Sequence, residues 1–187
     1  RTAGKARAWI GEHGGRLAAS PAEAARDKEF VFVCVGNDDD LRSVVLGKDG
    51  ALAGMTTGAT LVDHTTASAS LAQELQAIAA ERGLHFVDAP VSGGQSGAVN
   101  GTLTVMCGGD EAVIDAARPV ISAYARAVTR VGSAGSGQLA QMDPATQREN
   151  LLSSVIDLKI VAKAAEDKKL GDTDAFKKSL AFARDRL

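Results

Sequence analysis

The spacing of hydrophobic and polar positions changes repeatedly along the first 142 residues. Ala3–His13 reads as a helix and stops at Gly14-Gly15. Ser20-Pro21-Ala22-Glu23 is a helix start: a hydroxyl to cap, proline at the first helical position, and a glutamate able to reach back. Phe30–Val35 (FVFVCV) is a continuous apolar run of β-branched and aromatic residues, which predicts a strand covered on both faces. Thr60–Val62 predicts a shorter strand, followed by a helix to about Glu81. Leu84–Val87, Leu103–Cys107 and Ala127–Val131 predict three more strands. Between the last two, Asp110-Glu111 opens a helix, where the helix dipole favours carboxylates. Strands separated by helices of about 10–15 residues predict βαβ units and a largely parallel sheet.

The pattern changes after Met142. Of 20 glycines only Gly171 lies beyond it, and residues 143–187 are rich in Lys, Ala and Leu and read as helix. Two units, 1–142 and 143–187, fit this shift; so does one α/β domain ending in helices. With 45% hydrophobic and 24% charged residues the chain is not generally disordered. A net charge of −2 and 4% aromatic residues argue against nucleic acid, which needs a basic footprint. No apolar run reaches the ~18–20 residues of a membrane span, and no signal-peptide pattern opens the chain. Two cysteines and three scattered histidines give neither a disulfide framework nor metal-ligand spacing, so no metal is expected.

In parallel sheets ligands bind beyond the carboxyl ends of the strands. Those ends read Gly36-Asn37-Asp38-Asp39-Asp40, Asp63-His64-Thr65-Thr66, Asp88-Ala89-Pro90-Val91-Ser92-Gly93-Gly94, and Gly132 to Gln138. Ser92-Gly93-Gly94 offers a hydroxyl and unshielded amides to a carboxylate or phosphate; a tight turn that needs glycine would look the same. Gly135-Ser-Gly137-Gln-Leu-Ala140 matches G-x-G-x-x-A, but no second strand and acidic residue follow, so it is not a dinucleotide fingerprint. Asp38–Asp40 suit a helix N-terminus better than a metal ion. Cys34 and Cys107 sit in apolar strands, where a thiol is packing. His13 lies near a helix end, His85 alternates in a strand, and His64 is either a solvated turn residue or a ligand contact.

At these residues the first half resembles the β-hydroxyacid dehydrogenases, the 3-hydroxyisobutyrate dehydrogenase family. The likeness covers about 1–142 and rests on Asp88-Ala-Pro-Val-Ser-Gly-Gly94, Gly101-Thr-Leu-Thr-Val-Met, and Val131-Gly followed by Gly135-Ser-Gly-Gln. It implies a Rossmann-type domain, NADP or NAD as cofactor, expected to bind weakly without the family's phosphate-binding loop, and reversible oxidation of a small β-hydroxy acid. Position by position it implies that Val35, Gly36 and Asp40 pass near the cofactor and that Thr66 contacts its nicotinamide side. It further implies that Ser92, Gly93 and Gly94 hold the substrate carboxylate. Arg1 and Thr2 match residues just past the second strand, where an arginine suits the 2′-phosphate of NADP.

Two departures stand out. The chain opens after the position of the family's G-x-G-x-x-G loop, and the family's catalytic lysine, three residues beyond the glutamine, is Gln141 here. A neutral amide cannot act as general acid–base, so no catalytic residue is assigned. On the strand order 3-2-1-4-5-6, removal of strands 1 and 2 is expected to leave two vacant positions between FVFVCV and Thr60–Val62. The expectation is an incomplete Rossmann-type parallel sheet in a fragment or chimera, followed by a helical segment.

That segment, about 147–187, resembles the helical N-terminal region of parvulin-type prolyl isomerases. Its signals are Val155–Glu166, a stop at Leu170-Gly171, and Asp174–Arg184. The likeness implies two helices that wrap a client chain or a second copy. The function expected is therefore NAD(P)-dependent dehydrogenation, impaired in this chain, or alternatively a helical binding module joined to a non-catalytic remnant. A cytoplasmic location follows from the dehydrogenase half.

Overall fold

The computed structural model describes residues 3–141. The helices expected over 143–187, and Arg1 and Thr2, lie outside the described residues. Helix α1 (Ala3–His13) ends where Gly14 and Gly15 take φ of +75° and +101°. Helix α2 (Pro21–Ala25) begins as its sequence dictates: the Ser20 hydroxyl accepts from Glu23 N at 3.1 Å, and Glu23 reaches back to Ala19 N at 2.7 Å.

Strand β1 (Phe30–Val33) is followed by α3 (Asp38–Leu46) and α4 (Ala51–Gly54), then β2 (Thr60–Asp63) and α5 (Ala69–Glu81). Next come β3 (His85–Asp88), the two-residue β4 (Val91–Ser92), α6 (Gly94–Val99) and β5 (Leu103–Gly108). Helix α7 (Glu111–Ile121), β6 (Ala125–Gly132) and α8 (Ser136–Gln141) complete the described residues. The sheet runs β1-β2-β3-β5-β4, with β6 on β5. β1, β2 and β3 are parallel, as are β5 and β6, so the sheet is parallel-dominated and Rossmann-like. β5 is antiparallel to β3 and β4. For β4 and β5 the short link through α6, residues 93–102, explains this, because a parallel crossover needs a dozen or more residues.

Two apolar layers cover the sheet. On one face Leu61 and Phe86 pack with Leu41, Val45, Leu71 and Leu75 from α3 and α5. On the other, Val62, Val87 and Val105 pack with Ile114, Ala117 and Ile121 of α7. All four residues of β2 are buried, as a central parallel strand requires.

Two expectations about FVFVCV are corrected. β1 pairs directly with β2, Phe30 to Thr60 through Val33 to Asp63, so no vacant positions separate them. Nor is the strand covered on both faces. It forms an edge among the described residues, and Phe32 is 38% exposed. Cys34, just beyond it, is exposed as well, whereas Cys107 is buried as expected.

Candidate functional site

The parallel strands deliver their C-terminal ends to one rim. β1 leads to Val35-Gly36, β2 to Asp63–Ala67, and β3 to Asp88–Ser92, while α8 returns across the last two. Asn37 starts α3 by accepting from Asp40 N at 2.8 Å. The Asp38 carboxylate is engaged by Ser68, whose N–H donates at 2.9 Å and whose hydroxyl also bonds it. These aspartates build a helix start and a loop anchor. Among the described residues no group of three His, Cys, Asp or Glu side chains could hold a metal ion.

Thr65, fully buried, accepts from Val35 N at 3.1 Å and so joins the first two strand ends. Thr66 is exposed, and its hydroxyl donates to Gln141 Oε1 at 3.3 Å. The other end of the same amide donates from Nε2 to Val91 O at 2.9 Å. Gln141 therefore spans from Thr66 to the loop that carries Ser92, Gly93 and Gly94. Those three residues are exposed at the head of α6. Gly93 and Gly94 have φ of +129° and +60°, so the turn needs glycine for its backbone whatever else it does.

The expected residues fall into two groups. Val35, Gly36, Thr66, Ser92, Gly93 and Gly94 lie at the C-terminal ends of β1 to β4, with Asp40 one helical turn into α3. Arg1 and Thr2 lie outside the described residues. A concavity of about 370 Å³ lined by Asp27, Lys28, Glu29 and Thr56 to Ala59 sits at the opposite ends of β1 and β2. That is the wrong end of the strands for a Rossmann ligand.

Sequence reasoning missed three groups. His64 is not a solvated turn residue. Its Nδ1 lies 2.6 Å from Ala89 O, so Nδ1 carries the proton and donates. Nε2 then accepts from the Tyr124 hydroxyl at 2.7 Å, Phe32 stacks on the ring at 5.7 Å, and burial lowers the imidazole pKa. Asp63 and Asp88 are the second group. They stand opposite each other in register, both 0% exposed, and burial raises each to about 6. Asp88 accepts from Gly135 N at 2.8 Å and Gln138 N at 3.1 Å. Asp63 Oδ1 accepts from Thr65 N at 2.9 Å, and its Oδ2 has no hydrogen-bond partner. Gln138, 1% exposed, is the third. Its Oε1 accepts from Ala67 N at 3.1 Å, and its Nε2 donates to Thr65 O at 2.8 Å. Each group bonds across 25 or more positions, a separation that no local pattern records.

The Cys34 sulfur faces His64 O at 3.9 Å, and partial burial with the Asp63 charge pushes its pKa up. It is therefore a poor nucleophile at neutral pH.

A rim of strand ends crossed by a glycine turn is the geometry on which dinucleotide-binding sheets place their ligand. Residues 1–132 match the model of the NAD binding domain of 6-phosphogluconate dehydrogenase. The chain belongs to the β-hydroxyacid dehydrogenase family. It is 55% identical over 142 residues to an uncharacterized oxidoreductase of Shewanella frigidimarina, covering 76% of this chain and 49% of that protein. It is 46% identical over 125 residues to a probable 3-hydroxyisobutyrate dehydrogenase-like protein of Arabidopsis thaliana, covering 67% of this chain and 39% of that one. The structure of Mycobacterium tuberculosis 3-hydroxyisobutyrate dehydrogenase with L-serine superposes with a TM-score of 0.69 at 30% identity, covering 95% of this chain and 58% of that one. The chain thus spans about half the length, or less, of these curated relatives. No helix among the described residues is long and apolar enough to cross a membrane.

Proposed function

We propose that this chain carries the nicotinamide and substrate side of an NAD(P)-dependent dehydrogenase acting on small β-hydroxy acids, with Gln141 in the proton-transfer position. One observation supports this most: the Gln141 amide bonds both Thr66, the residue implied for the nicotinamide, and Val91, which adjoins the loop implied for the substrate carboxylate. The rim fits the cofactor in kind. Thr66 presents an exposed hydroxyl, and Gly36 an exposed backbone without a side chain.

When bound, the nicotinamide supplies a hydride acceptor for the carbon that bears the substrate hydroxyl. Thr66 orients that ring, Val35, Gly36 and Asp40 border the cofactor, and Ser92 with the Gly93 and Gly94 amides holds the carboxylate. Arg1 and Thr2 border the ribose of NADP or NAD, where an arginine suits a 2′-phosphate. The hydroxyl proton needs a base as the carbonyl forms, and a neutral amide supplies none. Hydroxy-acid turnover is therefore impaired in this chain. A relative's complex with L-serine supports a three- or four-carbon acid as substrate. A cytoplasmic location accords with that soluble chemistry.

NADPH fluorescence titration of the chain tests the reading. Thr66→Val, which keeps the side-chain shape and removes the hydroxyl, is expected to weaken binding about tenfold, one hydrogen bond's worth. No NADPH binding up to millimolar concentrations, or identical affinity in the variant, would contradict it.

A further inference from the structure

Gln138 lies in the first turn of α8, whose neighbours leave it no freedom. A Cβ on Gly137 would come within 2.5 Å of Met106 O and 2.7 Å of Asp88 Oδ2, so the backbone is pressed against β5 and Asp88. The Gln138 N–H is itself held by Asp88, the last residue of β3. From this fixed base the side chain reaches the β2 loop and bonds the C=O of Thr65 and the N–H of Ala67. The residue between those two groups is Thr66. Only one orientation of the amide satisfies both, because a flip would set donor against donor and acceptor against acceptor. An apolar side chain of the same length would fill this buried site with no polar group to desolvate. An amide there is explained by the two backbone groups it satisfies.

We infer that Gln138 is a positioning residue: by bonding the peptides on both sides of Thr66 while Asp88 holds its backbone, it sets the Thr66 hydroxyl relative to β4. It touches neither ligand in this scheme. Its effect on binding passes through Thr66, which separates it from a residue that only adds stability. The ligand readout rests on the dinucleotide reading proposed above; the backbone readout does not.

Both are measured on the full chain carrying Gln138→Met. Hydrogen exchange at the Ala67 amide is expected to quicken at least about tenfold while Leu61 and Val62 in β2 keep their protection. NADPH affinity is expected to fall about tenfold in the single variant. In a Thr66→Val background the same change should cost less than about twofold, since the hydroxyl it positions is already gone. Unchanged exchange at Ala67, or equal losses of affinity in both backgrounds, would overturn the inference.

Should Gln138→Met not fold, Gln138→Glu serves instead. Its carboxylate accepts from Ala67 N but offers Thr65 O no proton until it is protonated, with Asp88 and Asp63 as the charges nearby. Relative to the unmodified chain at the same pH, its NADPH affinity is expected to be lower at pH 8 than at pH 5.5. A ratio independent of pH would overturn the inference. An NADPH affinity that Thr66→Val leaves unchanged would instead fault the dinucleotide reading, while exchange at Ala67 still decides the clamp.

Discussion

Lowering the pH from 7.5 to 5 is expected to stabilise this chain, and Asp63→Asn is expected to remove about half of that gain. Burial raises Asp63 to about 6, with smaller contributions from the Asp88 and Asp38 charges; Thr65 holds it back. Burial also raises Asp88 to about 6, against the pull of the Gly135, Gln138 and Gly137 amides. Unfolded aspartate titrates near 3.9. Between about pH 4 and 6 the folded chain therefore holds more protons than the unfolded one, so stability falls as pH rises through that window. Each shift is about two units, on the order of 3 kcal/mol per carboxylate over the whole window, of which roughly half is gained between pH 7.5 and 5. His64 works in the opposite sense: its lowered pKa gives stability present above about 6.5 and lost as pH falls through the folded value. One imidazole opposes two carboxylates, and the carboxylates set the sign. Urea denaturation at several pH values measures this; stability that falls steadily from pH 7.5 to 5, unaltered by Asp63→Asn, would contradict it.

Gln141→Lys is expected to raise turnover of 3-hydroxyisobutyrate or L-serine with NADP+ by about 10²–10⁴-fold, the usual worth of a positioned general acid–base. That range equals roughly 3–5 kcal/mol of barrier. The substitution suits the site, because a neutral lysine amine can take the hydroxyl proton and still donate to Val91 O as the amide does now. The nearby Thr66 hydroxyl donates to Gln141 today and would accept from the lysine instead. The gain should appear in kcat, with KM for the acid little changed, since the carboxylate contacts stay in place. Initial rates of NADPH formation read the effect. Measurable rates that are equal for glutamine and lysine would mean the amide does not limit the reaction.

The elements that the sequence made legible are those specified locally. Ser20 and Asp110 cap the helices their neighbours announce, and Thr60–Val62 lies in a buried central strand. The strand ends also emerged to within one or two residues, because each apolar run stops at polar or glycine residues; β1 ends at Val33, two residues before the run does. Sheet position was less legible. FVFVCV reads the same at an edge as at a centre, so the exposure of Phe32 and Cys34 depends on which strands flank it. β4 has two residues and therefore no period to detect. The buried polar links were invisible for a different reason. Gln138 meets partners 71 and 73 positions away, and His64 meets Tyr124 60 positions away. The one available signal was an amide placed among glycines in Gly135-Ser-Gly-Gln, where the backbone leaves little room for a free polar side chain.

The most direct test is a titration of the isotopically labelled chain with NADPH, followed amide by amide in heteronuclear NMR spectra. If the strand-end rim is the dinucleotide site, the shifts concentrate at Val35, Gly36, Thr66 and Ala67. Shifts confined to Asp27–Glu29 and Thr56–Ala59, or none at millimolar NADPH, would contradict it.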